Sequence, residues 1–150
     1  MKVQEGLLLI NGVDMASYGT FLCETEANAH TNYDALMKPS KTKAPTSISY
    51  HERDGDELPD NLGELKHEGR DIPLKLAIVG DTRQQWFSRY NALMQLMNSG
   101  WLQLEVPELG RTFNVYMKEC SSYSHFTVLA STGQQIACMT VVFREPKPQF

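Results

Sequence analysis

The fold is read from Gly69-Arg70-Asp71-Ile72-Pro73-Leu74-Lys75-Leu76-Ala77-Ile78-Val79-Gly80 and the segment that follows it, Asp81 to Gly100. In an extended chain Leu74, Leu76 and Ile78 share one side, with Lys75, Ala77 and Val79 on the other. A strand with one buried face belongs in an antiparallel or mixed sheet. Pro73 has no N–H for a ladder, so the strand is expected to begin there or to run along an edge. Asp81 or Thr82 can cap a helix, and Thr82-Arg83-Gln84-Gln85 has the capping-box order. Trp86, Tyr90, Leu93 and Met97, with Phe87 and Met94 one step round, make a broad apolar stripe. Ser99-Gly100 supplies a stop. The expectation is one helix over about residues 82–99, its stripe packed on one face of a sheet.

Working outward, Trp101 to Val106 alternates, Pro107-Glu108-Leu109-Gly110 is a turn, and Arg111 to Lys118 alternates again, which reads as a hairpin. Ser121-Ser122 interrupts it, His125 to Leu129 reads as a further strand, and Gln135 to Phe143 as the last. In that last strand Ala137, Met139, Val141 and Phe143 oppose Ile136, Cys138 and Val142. Upstream, Leu7 to Ile10 and Tyr18 to Glu24 flank Asn11-Gly12 and suggest an amino-terminal hairpin. Thr46 to His51 has period two and reads as a half-buried strand. Long loops are expected at about 25–46, with at most a helical turn near Tyr33–Met37, and at 53–70. Residues 145–150 read as a polar arm or frayed end. The sum is one mainly β domain over residues 1–150, an antiparallel sandwich or partly closed barrel carrying one helix.

The 150 residues carry a net charge of −4. The excess lies in one segment, where Asp54, Asp56, Glu57, Asp60, Glu64, Glu68 and Asp71 face only Arg53, Lys66 and Arg70; elsewhere the charges balance. No basic stripe marks a nucleic-acid footprint. No apolar run reaches membrane-spanning length, and the amino terminus lacks a leader's apolar core, so a soluble, unsecreted chain is expected. Cys23, Cys120 and Cys138 form no CxxC pair and are expected as reduced, mostly buried thiols, Cys138 in a core strand.

A catalytic or cofactor site does not emerge. His30, His51, His67 and His125 are scattered, without metal-ligand spacing. Asp54, Asp56 and Asp60 have calcium-like spacing, but the sixth and twelfth loop positions would be Pro59 and Leu65 instead of Gly and Glu. Neither a hydrolase elbow nor a phosphate loop is present. The expectation is no enzyme, no catalytic residue, no cofactor and no metal.

Three segments carry a resemblance: Leu9-Ile10-Asn11-Gly12-Val13-Asp14 on to Tyr18-Gly19; Arg70-Asp71-Ile72-Pro73-Leu74-Lys75-Leu76; and Asn91-Ala92-Leu93-Met94-Gln95-Leu96-Met97-Asn98-Ser99-Gly100-Trp101-Leu102-Gln103-Leu104. Together they resemble the amino-terminal domain of distal tail proteins of long-tailed phages, relatives of tail-tube proteins. The resemblance covers about half the chain and includes no catalytic residue. It implies a virion structural protein of a phage or prophage, assembled in the host cytoplasm. It implies a ring of identical subunits, commonly six, that joins tail tube to tail tip or baseplate, with the long loops contacting neighbouring tail proteins. Neither sequence-specific nucleic acid nor membrane is an expected partner. Acidic character would suit a channel wall that repels passing DNA. A further carboxy-terminal domain found in many such proteins has no place before Phe150. A tail-tube subunit and a small glycan- or ligand-binding β-sandwich, with Trp101 or Tyr116 lining a groove, are the alternatives.

Overall fold

The computed structural model describes residues 3–24, 26, 28–44, 48–49, 54–58, 60, 63–127 and 133–150. In chain order the elements are β1 (Leu9–Ile10), β2 (Val13–Asp14), a 3-10 turn (Met15–Tyr18), β3 (Thr20–Leu22), α1 (Thr31–Met37), β4 (Ile48–Ser49), β5 (Asp56–Glu57), β6 (Arg70–Gly80), α2 (Arg83–Met97), β7 (Leu102–Val106), β8 (Arg111–His125) and β9 (Gln135–Glu145). Seven strands form one sheet in the order β2-β1-β7-β8-β9-β6-β3, antiparallel throughout, and β4 and β5 pair separately.

The sheet is curled into a half-barrel, and its connectivity shows why. Flat, seven strands would hold their edges about 29 Å apart at ~4.8 Å spacing. Yet the two edge strands, β2 and β3, are joined by residues 15–19 alone. That link spans at most roughly 20 Å when extended, and less as a 3-10 turn. The edges must therefore bend towards each other. The link itself is built for the purpose. Asp14 caps it by accepting from Ala16 N at 3.0 Å, Met15 is fully buried, and Gly19 ends it in the left-handed region at φ 63°.

Inside the curl one apolar core runs from Ile10 through Ile72, Leu74, Leu76 and Ile78 to Leu102, Leu104, Val115, Val141 and Phe143. The helix closes it. Thr82 Oγ1 accepts from Gln85 N at 3.1 Å, and Gln85 Oε1 accepts in return from Asp81 N at 2.7 Å. Trp86, Leu93 and Met97 are buried, Tyr90 and Met94 pack at the margin, and Trp86 donates to Ile78 O at 3.1 Å. Phe87, expected in the stripe, is exposed instead; it lies on the rim, one step past the buried arc.

Several expectations are corrected. The partner of β1 is Val13–Asp14, across Asn11 (φ 53°) and Gly12 (φ 80°), whereas Thr20–Leu22 crosses to the far edge and pairs with β6. Pro73 lies inside β6, opposite Val142. On the β3 side Val79 N donates to Gly19 O and Lys75 N to the Asn32 side chain. By that alternation Pro73 N faces the same side, past the end of β3, where a donor would have no strand to meet. Ser121-Ser122 does not break the hairpin, because β8 runs on to His125 with irregularities between Met117 and Glu119 and between Cys120 and Ser122. The separate strand expected at 125–129 is absent up to Thr127, and 128–129 lie outside the described residues.

The loop at 25–46 contains α1, so two helices accompany the sheet instead of one. The Glu24 carboxylate caps α1, accepting from Asn32 N at 3.0 Å and from the Thr31 hydroxyl. Buried Asn32 accepts from Lys75 N and donates to Cys23 O, both at 2.7 Å, so one amide continues the ladder that β3 leaves unfinished. The two long loops also pair with each other, through Lys43 N to Lys66 O and Glu68 N to Lys41 O. Of the strand expected at 46–51, Ile48–Ser49 is observed and the remainder lies outside the described residues. The carboxy-terminal arm is docked: Glu145 ends β9 and is buried, and Phe150 lies 4.9 Å from the Arg70 guanidinium. Cys138 is on the sheet face opposite the core, and Cys120 is exposed.

Candidate assembly surface

The residues weighed for chemistry stay apart. His30 stacks on Tyr33, with ring centroids 6.3 Å apart. His67 bonds Ser40 O through Nδ1 at 2.8 Å, and His125 sits at the end of β8. His51 is outside the described residues. Asp54 and Asp60 are exposed, and Asp56 is in β5. Among the described residues no three His, Cys, Asp or Glu are placed to hold a metal ion, and no helix is long and apolar enough to cross a membrane.

The surface feature that stands out is the outer half of β8. Residues 111–115 pair with β7 on one side, but β7 goes no further, so among the described residues 116–125 pair only with β9. Most of this segment is exposed. An unpaired strand edge of this length is a template for another chain, and β-bulges and charges are the usual restraint on it. Here Lys118 and Ser121 are the extra residues at two bulges. Next to the edge is an aromatic cluster. Trp86 stacks on Tyr90 at 5.3 Å and meets His125 edge-on at 4.9 Å, while Tyr123 lies 6.5 Å from Tyr90. Tyr123 OH donates to His125 Nδ1 at 2.9 Å. With that assignment His125 Nε2 carries the proton and donates to Gln135 Oε1 at 2.7 Å.

At the other end of the edge, Trp101 is 67% exposed and meets Tyr116 edge-on at 5.7 Å. Two grooves share this Trp, one of about 330 Å³ with Met97, Asn98 and Met117, the other of about 620 Å³ with Gln103, Asn114 and Lys147. The face therefore combines an open backbone edge with two aromatic anchors, the residue types that dominate protein interfaces. Sequence reading pointed to Trp101 and Tyr116 but missed the edge, because Ser121-Ser122 looked like an ending.

Asp71 ties the same strand to its neighbours, accepting from Lys118 Nζ at 2.8 Å and Arg144 Nη1 at 3.0 Å. The hydrogen bonds from Lys118 and Arg144 hold its carboxyl below the usual carboxylate range. A depressed pKa contributes stability that is present above the ordinary carboxylate pKa and is lost as pH falls through the depressed value. All three side chains are a third or more exposed, so the effect is screened. Asp71→Asn should lower Tm at pH 7 by roughly 1–3 °C, with the difference from the parent vanishing in strong acid. A difference unchanged between the two pH values in thermal melts would show that the ion pairs are not its source.

Among solved structures, the chain is similar to SPP1 Dit, described as a paradigm of the hub adsorption apparatus in phages that infect Gram-positive bacteria. The TM-score is 0.52 and the identity 12%, over 93% of this chain and 50% of that one. The chain thus spans about half the length of that protein, and the likeness is one of fold. No protein-family model and no curated protein matches the chain. The mainly β architecture expected from the sequence is the one observed, in its partly closed barrel form with a Dit-like fold.

Proposed function

We propose that this chain is a non-enzymatic structural protein of a phage or prophage tail, and that copies of it assemble into a ring of about six at the distal end of the tail. The observation that carries the proposal is the Dit-like half-barrel, matched along nearly the whole chain. The unpaired β8 edge with its aromatic flanks supports it, since a ring requires a heterologous contact that one face of each subunit offers to the next. In this reading the protein is a single domain that resides in the virion after assembly in the host cytoplasm. Its partners are its own copies, the tail tube and the tail tip, with the paired loops at 38–44 and 64–69 facing neighbouring proteins.

The test is assembly. Light scattering and negative-stain images of the full chain should show rings of about six at tens of micromolar. Ser122→Lys/Ser124→Lys places two charges on the exposed half of β8, and charges on an edge strand oppose pairing. The double variant is expected to keep its Tm within about 2 °C and to run as a monomer. A parent chain that stays monomeric throughout removes the ring reading, and a double variant that assembles like the parent removes β8 as the contact. Trp101 and Tyr116 beside two grooves favour one second reading, a glycan-binding module. Glycan-array binding lost in Trp101→Ala, without rings in the parent, would select it.

A further inference from the structure

Cys23 Sγ and Cys138 Sγ lie 2.9 Å apart, although the residues are 115 positions apart in sequence, and both are free, half-buried thiols. A disulfide bond is about 2.05 Å long, so less than about 1 Å of further approach separates contact from bonding. The meeting is not what the sheet order alone would give. Cys138 is in β9 opposite Ala77, Cys23 follows β3, and β6 runs between them. Side chains on strands flanking a third in a flat sheet start roughly 9–10 Å apart, beyond disulfide reach. Here Cys23 has left β3, which ends at Leu22, while its N–H still donates to Lys75 O at 2.9 Å. The β6 residue level with Cys138 on this face is Ala77, and its methyl leaves room for two sulfurs to meet above it.

We propose that Cys23 and Cys138 are an oxidisable pair that a small-molecule disulfide such as oxidised glutathione converts into an intramolecular cross-link, fastening the segment after β3 to β9. The inference rests on the thiols alone and stands whether or not the tail reading holds. In the first step Cys138 gives its proton to solvent and attacks one sulfur of the oxidant; that S–S bond breaks, the departing sulfur takes up a proton to leave as a thiol, and a mixed disulfide remains on Cys138. In the second, Cys23 gives its proton to solvent and attacks Cys138 Sγ, expelling the second thiol. Two protein thiols are oxidised and one small disulfide is reduced to two thiols, so protons and electrons balance. Burial, and then the hydrogen bond and charge of Cys138, push the Cys23 thiol up to about 12. The mixed disulfide removes the Cys138 contributions but not the burial, so Cys23 acts second and its attack is the slower step.

The test uses the full chain carrying Cys120→Ser, because exposed Cys120 could otherwise cross-link two molecules. After incubation with oxidised glutathione, thiol titration of the folded protein should fall from two to none. Non-reducing peptide mapping should find Cys23 joined to Cys138. The Tm should rise by about 5–10 °C and return on reduction, as expected for closing so long a loop. In the same background, Cys23→Ser should stop at a glutathione adduct on Cys138 with no rise in Tm. Two thiols still titrating, one adduct on each cysteine, a cross-link between chains, or a cross-link formed only in denaturant would each overturn the proposal.

Discussion

Arg70→Met is expected to cost about 3–5 kcal/mol and to lower Tm by roughly 10–15 °C. Arg70 and Glu145 are 7% and 6% exposed and joined at 2.8 Å through Arg70 Nε. The other side of the guanidinium donates to Lys38 O at 2.6 Å, and its face lies over the Phe113 and Phe150 rings at 5.7 and 4.9 Å. One planar cation thus joins β6, β9, the end of α1 and the carboxy-terminal arm. Removing it leaves a carboxylate with little access to water and no countercharge, and that outweighs the modest net worth of the pair itself. Arg70→Met/Glu145→Leu should therefore recover most of the loss, since an apolar pair of similar volume carries no orphaned charge. Arg70→Lys should rescue poorly, because an ammonium cannot fork between Glu145 and a carbonyl. Chemical denaturation of the set checks this. A single variant losing under about 1 kcal/mol, or a double variant no better than the single, would contradict it.

Gly19→Ala should approach that size, about 2–5 kcal/mol, and be expressed as loss of folded protein if total stability is small. A Cβ there would meet Val79 O at 2.3 Å and Arg89 Nη1 at 2.5 Å, and φ is +63°. The backbone cost of a left-handed alanine is about 1–2 kcal/mol, and overpacking adds about 1–3. The neighbour cannot retreat cheaply, because Val79 O is main chain and accepts from Arg89 Nη1 at 2.7 Å. Asn, which tolerates the left-handed region, should fare no better than Ala if the clash dominates, and clearly better if the backbone angle does. Midpoints from urea titrations of the two variants separate the causes.

The long strands were legible because a half-buried strand writes its orientation in alternate residues. Ile72, Leu74, Leu76 and Ile78, and likewise Ala137, Met139, Val141 and Phe143, are buried as that alternation requires, although Ala77 and Val79 on the face expected to be open are buried as well. The helix cap was legible for the same local reason. What stayed hidden depends on contacts distant in sequence. β1 and β2 are two residues each, too short to show a period, so their pairing could not be told from that of β3. Ser121 and Ser122 look like a stop because the strand there faces solvent. Arg70 and Glu145 look solvated in a sequence and become buried only when β6 and β9 meet. Of the candidate surface, the anchors Trp101 and Tyr116 could be named in advance, and the open edge could not. It is defined by where β7 stops.

The short link between the two sheet edges also bears on the order in which the molecule forms. The first strands are made early but pair late, since β1 sits against β7 (Ile10 opposite Leu104) and β3 against β6 (Leu22 opposite Leu76). The β7–β8 and β8–β9 hairpins are nearer in sequence and close at lower entropic cost, so they are the natural place for folding to start. On a ribosome β3 has no strand to meet until β6 has emerged, and β1 has none beyond β2 until β7 follows.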